Sequence, residues 1–458
     1  ILSLARGMTD FSALASLPSV MFSLASEDPV AFLNLASRRV QGKPVVTQRV
    51  PKANFQPPIV SVEAVGAARF NGNALFVLTN SFPYSTAGYA QRSHKVIQAI
   101  QSVGVDASAM TRLGYPLSIG LVPVRRADNI DGVVYKRAIP RHYPRSRMRQ
   151  AEIMAQCIVD EAQENDISVL HTTTPWWNAV AVSWAAKQLS VPWVYEVRGI
   201  PEATWASTQP DELGAIGSEY FRRTREKENE AIASANLVTT LSETLKQEIL
   251  QRGIGVEKLL VAPNSISKEE IGGGLESGDA KRRLGLPDVP LVGSITSLVE
   301  YEGLGTLISA LEHLPDEIHV LLVGDGTARI DLEKLAKRKK VEHRVIFTGR
   351  RPTDEIELWY SALDVFVVPR IRSVVTAQVT PIKALQAAAQ GVPIVCSDLP
   401  ALREVTAGEA EYVPAGDPSA LAGGIRKSLA MKRRVPSWIY SRTWDAVATS
   451  YLEAYSSL

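Results

Sequence analysis

Cysteine is nearly missing from this chain of 458 residues. Cys157 and Cys396 lie far apart in sequence and give neither a metal-ligand nor a redox spacing. No disulfide framework is available, and a reducing, cytoplasmic setting is expected. Net charge is almost as scarce. Fifty Lys and Arg against 48 Asp and Glu leave +2, which argues against a dedicated nucleic-acid binder with its strongly basic domain. Long hydrophobic runs are lacking too. The longest, Phe11 to Ala25, is interrupted by Pro18, rich in Ser and Ala, and too short to span a bilayer. What remains is a globular balance of 45% apolar and 21% charged residues. At roughly 150 residues per domain, the length suggests about three units.

Residues 1–72 combine short helical patches (Phe11 to Ala25, Pro29 to Val40) with Pro44, Pro51, Pro57 and Pro58. Proline at that density breaks helices and denies strand hydrogen bonds, so this region reads as a connector. It is either an arm packed on the main body or the tail of a larger upstream region. The opening at Ile1 rather than Met fits an expression fragment, a trimmed chain or missing residues, and so a piece of a longer chain or complex.

From Asn73 apolar strands alternate with helices. Ala74 to Thr79, Ser168 to His171, Trp193 to Val197 and Leu237 to Leu241 are the strands of a first half. Ser242 is a good N-cap for a helix over Glu243 to Gln251. After the Gly- and Asp-rich break at Gly272 to Asp279 the alternation restarts, with strands at Leu291, His319, Val345, Val365 and Pro393. Continuous apolar strands between helices predict parallel sheets covered on both faces. The expected architecture is α/β, with two Rossmann-like doubly wound domains facing a cleft. Residues 73–270 are expected to form the first of these domains, 271–435 the second, and 436–458 a helix packing back on the body.

The segment from Val367 to Val395 reads strand, loop, helix, turn, strand. Thr380 is a plausible N-cap, with Pro381 at the first helical position. Free N–H groups and the helix dipole there attract an anion. Lys383 sits in the first turn, where helix stability alone prefers an acid, and Arg370 and Arg372 precede it. A diphosphate fits this arrangement; a solvated Lys paired with a carboxylate is the plainer alternative.

The run Val379-Thr-Pro-Ile-Lys-Ala-Leu-Gln-Ala-Ala-Ala-Gln-Gly-Val-Pro-Ile-Val resembles the donor-binding helix of retaining glycosyltransferases of family four, which have the two-domain GT-B fold. Leu291 to Gly303, Leu322-Val-Gly-Asp-Gly326, Phe347-Thr-Gly349, Tyr195 to Gly199 and Pro263-Asn264 resemble further blocks of that family, in the same order. The resemblance spans about residues 73 to 455. It implies donor contacts at Gly324, Asp325, Arg350, Arg370, Lys383 and position 386, and a UDP-sugar as the favoured donor.

Two departures stand out. The family usually carries two glutamates with seven residues between them; here both positions are glutamine, Gln378 and Gln386. The resemblance implies that Gln386 accepts from the nucleotide ribose and that Gln378 lies near the donor sugar. Without charge assistance, a bond worth roughly 1.5–3 kcal/mol falls to about 0.5–1.5. An engineered inactive form, a natural pseudoenzyme and a working subfamily all fit. The second departure is Glu300-Tyr-Glu-Gly303, where many relatives place a diphosphate-binding Lys before this Gly and an Arg earlier. Glu302 and Thr296 stand there instead, so the phosphate charge falls to Lys383, Arg370 and Arg198, with one hydrogen bond from Thr296.

In the first half, the resemblance places Gly88 on a loop near the donor phosphates, with a plain turn as the alternative. His171 stands where relatives have a His near the reacting sugar; a structural role is the other reading. Arg198 follows a buried strand, where α/β proteins place ligand contacts; an ion pair with Glu196 or Glu202 would also account for it. Six basic residues lie between 136 and 149 with no acid among them. Arg141 and Arg145 there, like Trp176 and Trp177, are candidate acceptor contacts. A phosphate-bearing or lipid-linked acceptor, or an anionic membrane surface, fits as well as a solvated loop.

The expected function is transfer of a sugar, with retention, from a nucleotide-diphosphate donor to a glycan, lipid-linked or small-molecule acceptor, as in polysaccharide biosynthesis. Neither metal nor cofactor is expected. Two alternatives stay open: an inactive nucleotide-sugar-binding protein of the same fold, and a nucleotide-sugar epimerase.

Overall fold

The computed structural model describes residues 57–62, 70–256 and 258–458. The expected helical patches at 11–25 and 29–40, and Pro44 and Pro51, lie outside the described residues. Residues 57–62 pack on the main body: the Ile59 amide donates to Glu230 at 2.7 Å, and the Trp184 indole donates to the Pro58 carbonyl at 2.9 Å.

The first sheet has eight strands: β1 (Asn73–Leu78), β2 (Asp106–Thr111), β3 (Ala127–Ile130), β4 (Val133–Arg137), β5 (Val169–Thr173), β6 (Trp193–Val197), β7 (Leu237–Thr240) and β8 (Leu259–Val261). Their order is β3-β4-β2-β1-β5-β6-β7-β8. Every strand expected in this half is present. The additional hairpin β3–β4 turns at Asp131 and Gly132, both at positive φ (48° and 88°). Asp-Gly between strands is the signal for such a turn, and it was available in the sequence.

The second sheet contains β9 (Leu291–Ile295), β10 (His319–Val323), β11 (Val345–Gly349), β12 (Val365–Val368), β13 (Ile394–Ser397) and β14 (Glu411–Val413), in the order β11-β10-β9-β12-β13-β14. Alternate strand residues face opposite ways. Leu291, Ile295, Phe366 and Val368 join one buried cluster, while Val292, Val365 and Val367 join another. Helices therefore cover both faces, and the strands read as unbroken apolar runs.

The described residues fall into two compact units. One runs to Glu196 and includes Lys227–Val238 and Leu452–Leu458; the other comprises Val197–Glu226 and Thr239–Tyr451. The boundary expected near residue 270 separates the strands of the two sheets, whereas the units divide within β6, the helix Glu219–Ser234, β7 and the final helix. That helix is Trp444–Ser456, and a short 3-10 turn, Ser437–Ser441, precedes it. In the second sheet the chain builds outward from β9 to β11 and then returns to β12 on the other side of β9. Ligands of open α/β sheets bind beyond the carboxyl ends of the strands at such a switch. Thr296 and Arg370 follow those two strand ends.

Candidate active site

Three loops meet closely at the ends of β9, β10 and β12. Gly324 has φ +139°, and a Cβ there would fall 1.9 Å from the Thr296 carbonyl oxygen. Gly303 has φ +69°, and its Cβ would meet the Pro369 carbonyl, also at 1.9 Å. No larger residue fits either place. Glycine thus lets the segments carrying Thr296, Glu302 and Arg370 approach one another.

Glu302 lies at the centre. Arg370 donates to it at 2.9 and 3.3 Å and sends a third bond, 2.9 Å, to the Val379 carbonyl. Lys383 donates to the Thr296 hydroxyl and lies 3.7 Å from Glu302. Burial alone would raise the Glu302 carboxyl, but Arg370 and Lys383 hold it below the usual carboxylate range. Burial lowers the Lys383 ammonium, and Arg370 adds to that against the opposing pull of Glu302. Arg370 was expected to bind the donor directly. Its side chain is only 8% exposed and Glu302 grips it, whereas Lys383 is 28% exposed. Of the two cations beside Glu302, Lys383 is the more exposed.

The local helix differs from expectation. It runs Lys383–Ala389, with Ile382 at the cap position and no side-chain cap. Thr380 is not the N-cap: Pro381 and Ile382 precede the first helical residue, and the Thr380 carbonyl accepts from Asn264 at 3.3 Å. A separate short helix, Val374–Gln378, carries a capping box between Ser373 and Thr376.

The two glutamines have protein partners. Gln386 accepts a hydrogen bond from the Tyr360 hydroxyl at 3.1 Å. Tyr360 is fully buried, which raises its phenol well above the ordinary value. Gln378 donates its amide nitrogen to Glu248 at 2.9 Å. Glu248 lies on the helix Glu243–Gln251, capped by Ser242 as expected. Sequence reasoning missed Tyr360 and Glu248. Their distances from the motif, 26 and 130 residues, leave no local spacing to read.

The remaining candidates take varied places. Asp325 accepts from the Gly326 amide at 2.9 Å and approaches Arg329 at 3.9 Å, so it shapes its own turn. Arg350 is exposed just beyond β11, and Arg198 is half-buried just after β6. Glu196 pairs with Arg92 at 2.7 Å, and Glu202 with Arg225 and Arg252 at 3.3 and 3.2 Å. A cavity of about 670 Å³ beside Gly303, Thr306, Asp331 and Arg338 is lined by none of the expected site residues.

In the other unit, His171 is in the middle of β5 rather than at a strand end, and it is fully buried. It bonds the Tyr455 hydroxyl at 2.6 Å and stacks on Phe76. Gly88 begins the helix Gly88–Ser102 and is exposed, with open space where a Cβ would go. Trp176 and Trp177 stack on each other with centroids 4.0 Å apart, and Arg147 lies 4.9 Å over Trp177. Of the basic run, Lys136 pairs with Glu161, Arg137 with Asp128 and Arg149 with Glu152. Arg141 and Arg145 are exposed. Among the described residues, no helix is long and apolar enough to cross a membrane.

Comparison with known proteins agrees with this fold. Residues 87–265 match the family described as glycosyl transferase 4-like domain, and residues 287–431 match glycosyl transferases group 1. The D-inositol 3-phosphate glycosyltransferase of Xylanimonas cellulosilytica is 27% identical over 310 residues, covering 63% of this chain and 71% of its own. The 2-deoxystreptamine glucosyltransferase of Streptomyces kanamyceticus is 25% identical over 293 residues, 60% of this chain and 73% of its own. Among solved structures, sucrose-phosphate synthase from Thermosynechococcus elongatus superposes with a TM-score of 0.67 at 19% identity, covering 84% of this chain and 98% of that one. Anabaena HepE in complex with UDP gives 0.64 at 19% identity, covering 84% and 100%. With two Rossmann-like sheets, matches on both halves and these neighbours, the chain belongs to the family-four glycosyltransferases of the GT-B fold.

Proposed function

We propose that this protein transfers a sugar from a nucleoside diphosphate sugar, with a UDP-sugar as the favoured donor, to an acceptor with retention of anomeric configuration. The observation that carries the reading is Lys383, partly exposed and bonded to Thr296 beside the β9–β12 switch. Departure of a nucleoside diphosphate leaves an oxocarbenium-like sugar and puts negative charge on the leaving phosphate. A fixed cation and a hydroxyl dipole aimed at that charge stabilise the transition state more than the ground state. Gln386 serves the nucleotide end of the donor and Gln378 the sugar end. UDP is favoured because a neighbour of the same fold is solved with it.

A second reading, binding without turnover, draws support from Arg370. Glu302 holds this cation, which withdraws it from a diphosphate. Incubation with UDP-, GDP- and ADP-sugars, with product anomers assigned by NMR, tests both. New glycoside or donor hydrolysis supports transfer. Saturable nucleotide binding with no turnover of any donor supports the second reading, and epimerised donor would overturn both.

A further inference from the structure

Glu248 joins Gln378 to a compact charge cluster. Its Oε2 accepts from the Gln378 amide at 2.9 Å; its Oε1 faces Arg225 Nη2 at 3.0 Å and Arg252 Nε at 3.3 Å. Both arginines also reach the Oε1 of Glu202, a side chain with no exposure, at 3.3 and 3.2 Å. Two acids and two guanidinium groups balance, and Glu248 is held in place with only 15% of its side chain exposed.

A carboxylate can only accept, so the nitrogen of the Gln378 amide must face Glu248 and the carbonyl oxygen must face away. That oxygen is buried without a hydrogen-bond partner. The same contact bears on which residue can stand at 378. A glutamate there would set two carboxylates about 3 Å apart, and like charges so close cannot both ionise. Glutamine is the side chain that Glu248 accommodates. On the other side, Arg370 holds the carbonyl of the next residue, Val379. The segment at 378–379 is thus pinned between the Glu302 cluster and the Glu248 cluster.

We infer that Glu248 is a positioning residue of the donor site. It holds the Gln378 amide by its nitrogen and so fixes the 378–379 segment against Arg370, the partner of Glu302 beside Lys383. This role rests on the glycosyl-transfer reading above.

The test compares the full chain with Glu248→Gln, Gln378→Glu and the double exchange. Donor turnover, UDP affinity by calorimetry and thermal midpoints at pH 5 and pH 8 are measured. Glu248→Gln should lower kcat at least tenfold while UDP affinity stays within twofold. In Gln378→Glu the paired acids share a proton, so one folded-state pKa rises. Its midpoint relative to the starting protein should therefore be higher at pH 5 than at pH 8. The double exchange, with one carboxylate and one amide again, should lose that pH dependence and recover turnover. If the starting protein is active and Glu248→Gln is equally active, this role is overturned while glycosyl transfer stands. A Gln378→Glu midpoint that does not respond to pH overturns the contact itself. If the starting protein turns over no donor, glycosyl transfer is overturned and this role with it.

Discussion

Arg370 grips Glu302 through two hydrogen bonds, 2.9 and 3.3 Å long, where neither side chain is more than 8% exposed. A pair this buried does more for the shape of the site than for its stability, but losing one partner strands the other. Glu302→Ala should therefore destabilise the protein by about 3 kcal/mol at pH 7, read from urea unfolding. Because its neighbours lower the Glu302 pKa, its stabilisation is present above the unfolded-state value of about 4.3. It is lost as the pH falls through the lower folded-state value. The gap between Glu302→Ala and the starting protein should then narrow in strong acid; a constant gap down to pH 2 would mean that the carboxylate charge is not what holds Arg370.

Lys383→Ala should weaken UDP binding by at least about 1.5 kcal/mol, the lower end of the range for a bond to a charged group. Folding should change little, since Arg370 still pairs Glu302. Calorimetric titration showing the same affinity in the variant would remove Lys383 from the phosphate site.

Tyr360→Phe deletes the hydroxyl that donates to Gln386. It should cost about 1 kcal/mol of stability and loosen the Gln386 side chain. Gln386→Glu keeps the acceptor for Tyr360 and adds charge, so it should tighten UDP binding several-fold. Weaker binding of UDP to Gln386→Glu would show that this position does not meet the ribose.

Arg137 and Arg141 belong to one basic run but should behave differently. Arg137 is buried, paired with Asp128 at 2.8 Å, bonded to Ser81 and the Phe82 carbonyl, and set against the rings of Tyr84, Tyr115 and Tyr135. Arg137→Ala should destabilise by about 3–5 kcal/mol. Arg141 is exposed, and Arg141→Ala should stay within about 0.5 kcal/mol. Equal thermal midpoints for the two variants would refute this division.

Apolar strands such as Leu291–Ile295 and Val365–Val368, Ser242 before its helix and the block from Val379 to Val395 made the two-sheet architecture, the family and the position of Lys383 legible in the sequence. Those features are local: period, caps and glycine spacing act over a few residues. Local pattern also explains the errors. Thr380-Pro381 has the composition of a helix start, yet the helix begins at Lys383, and the two carbonyls before Pro381 are held elsewhere, Val379 by Arg370 and Thr380 by Asn264. Only the tertiary structure decided that Arg370 serves Glu302, that Tyr360 meets Gln386 and that Glu248 meets Gln378. These partners are separated by 68, 26 and 130 residues. Charge and hydrogen-bonding capacity belong to each side chain, but which groups satisfy one another depends on the packing that brings distant segments within about 3 Å.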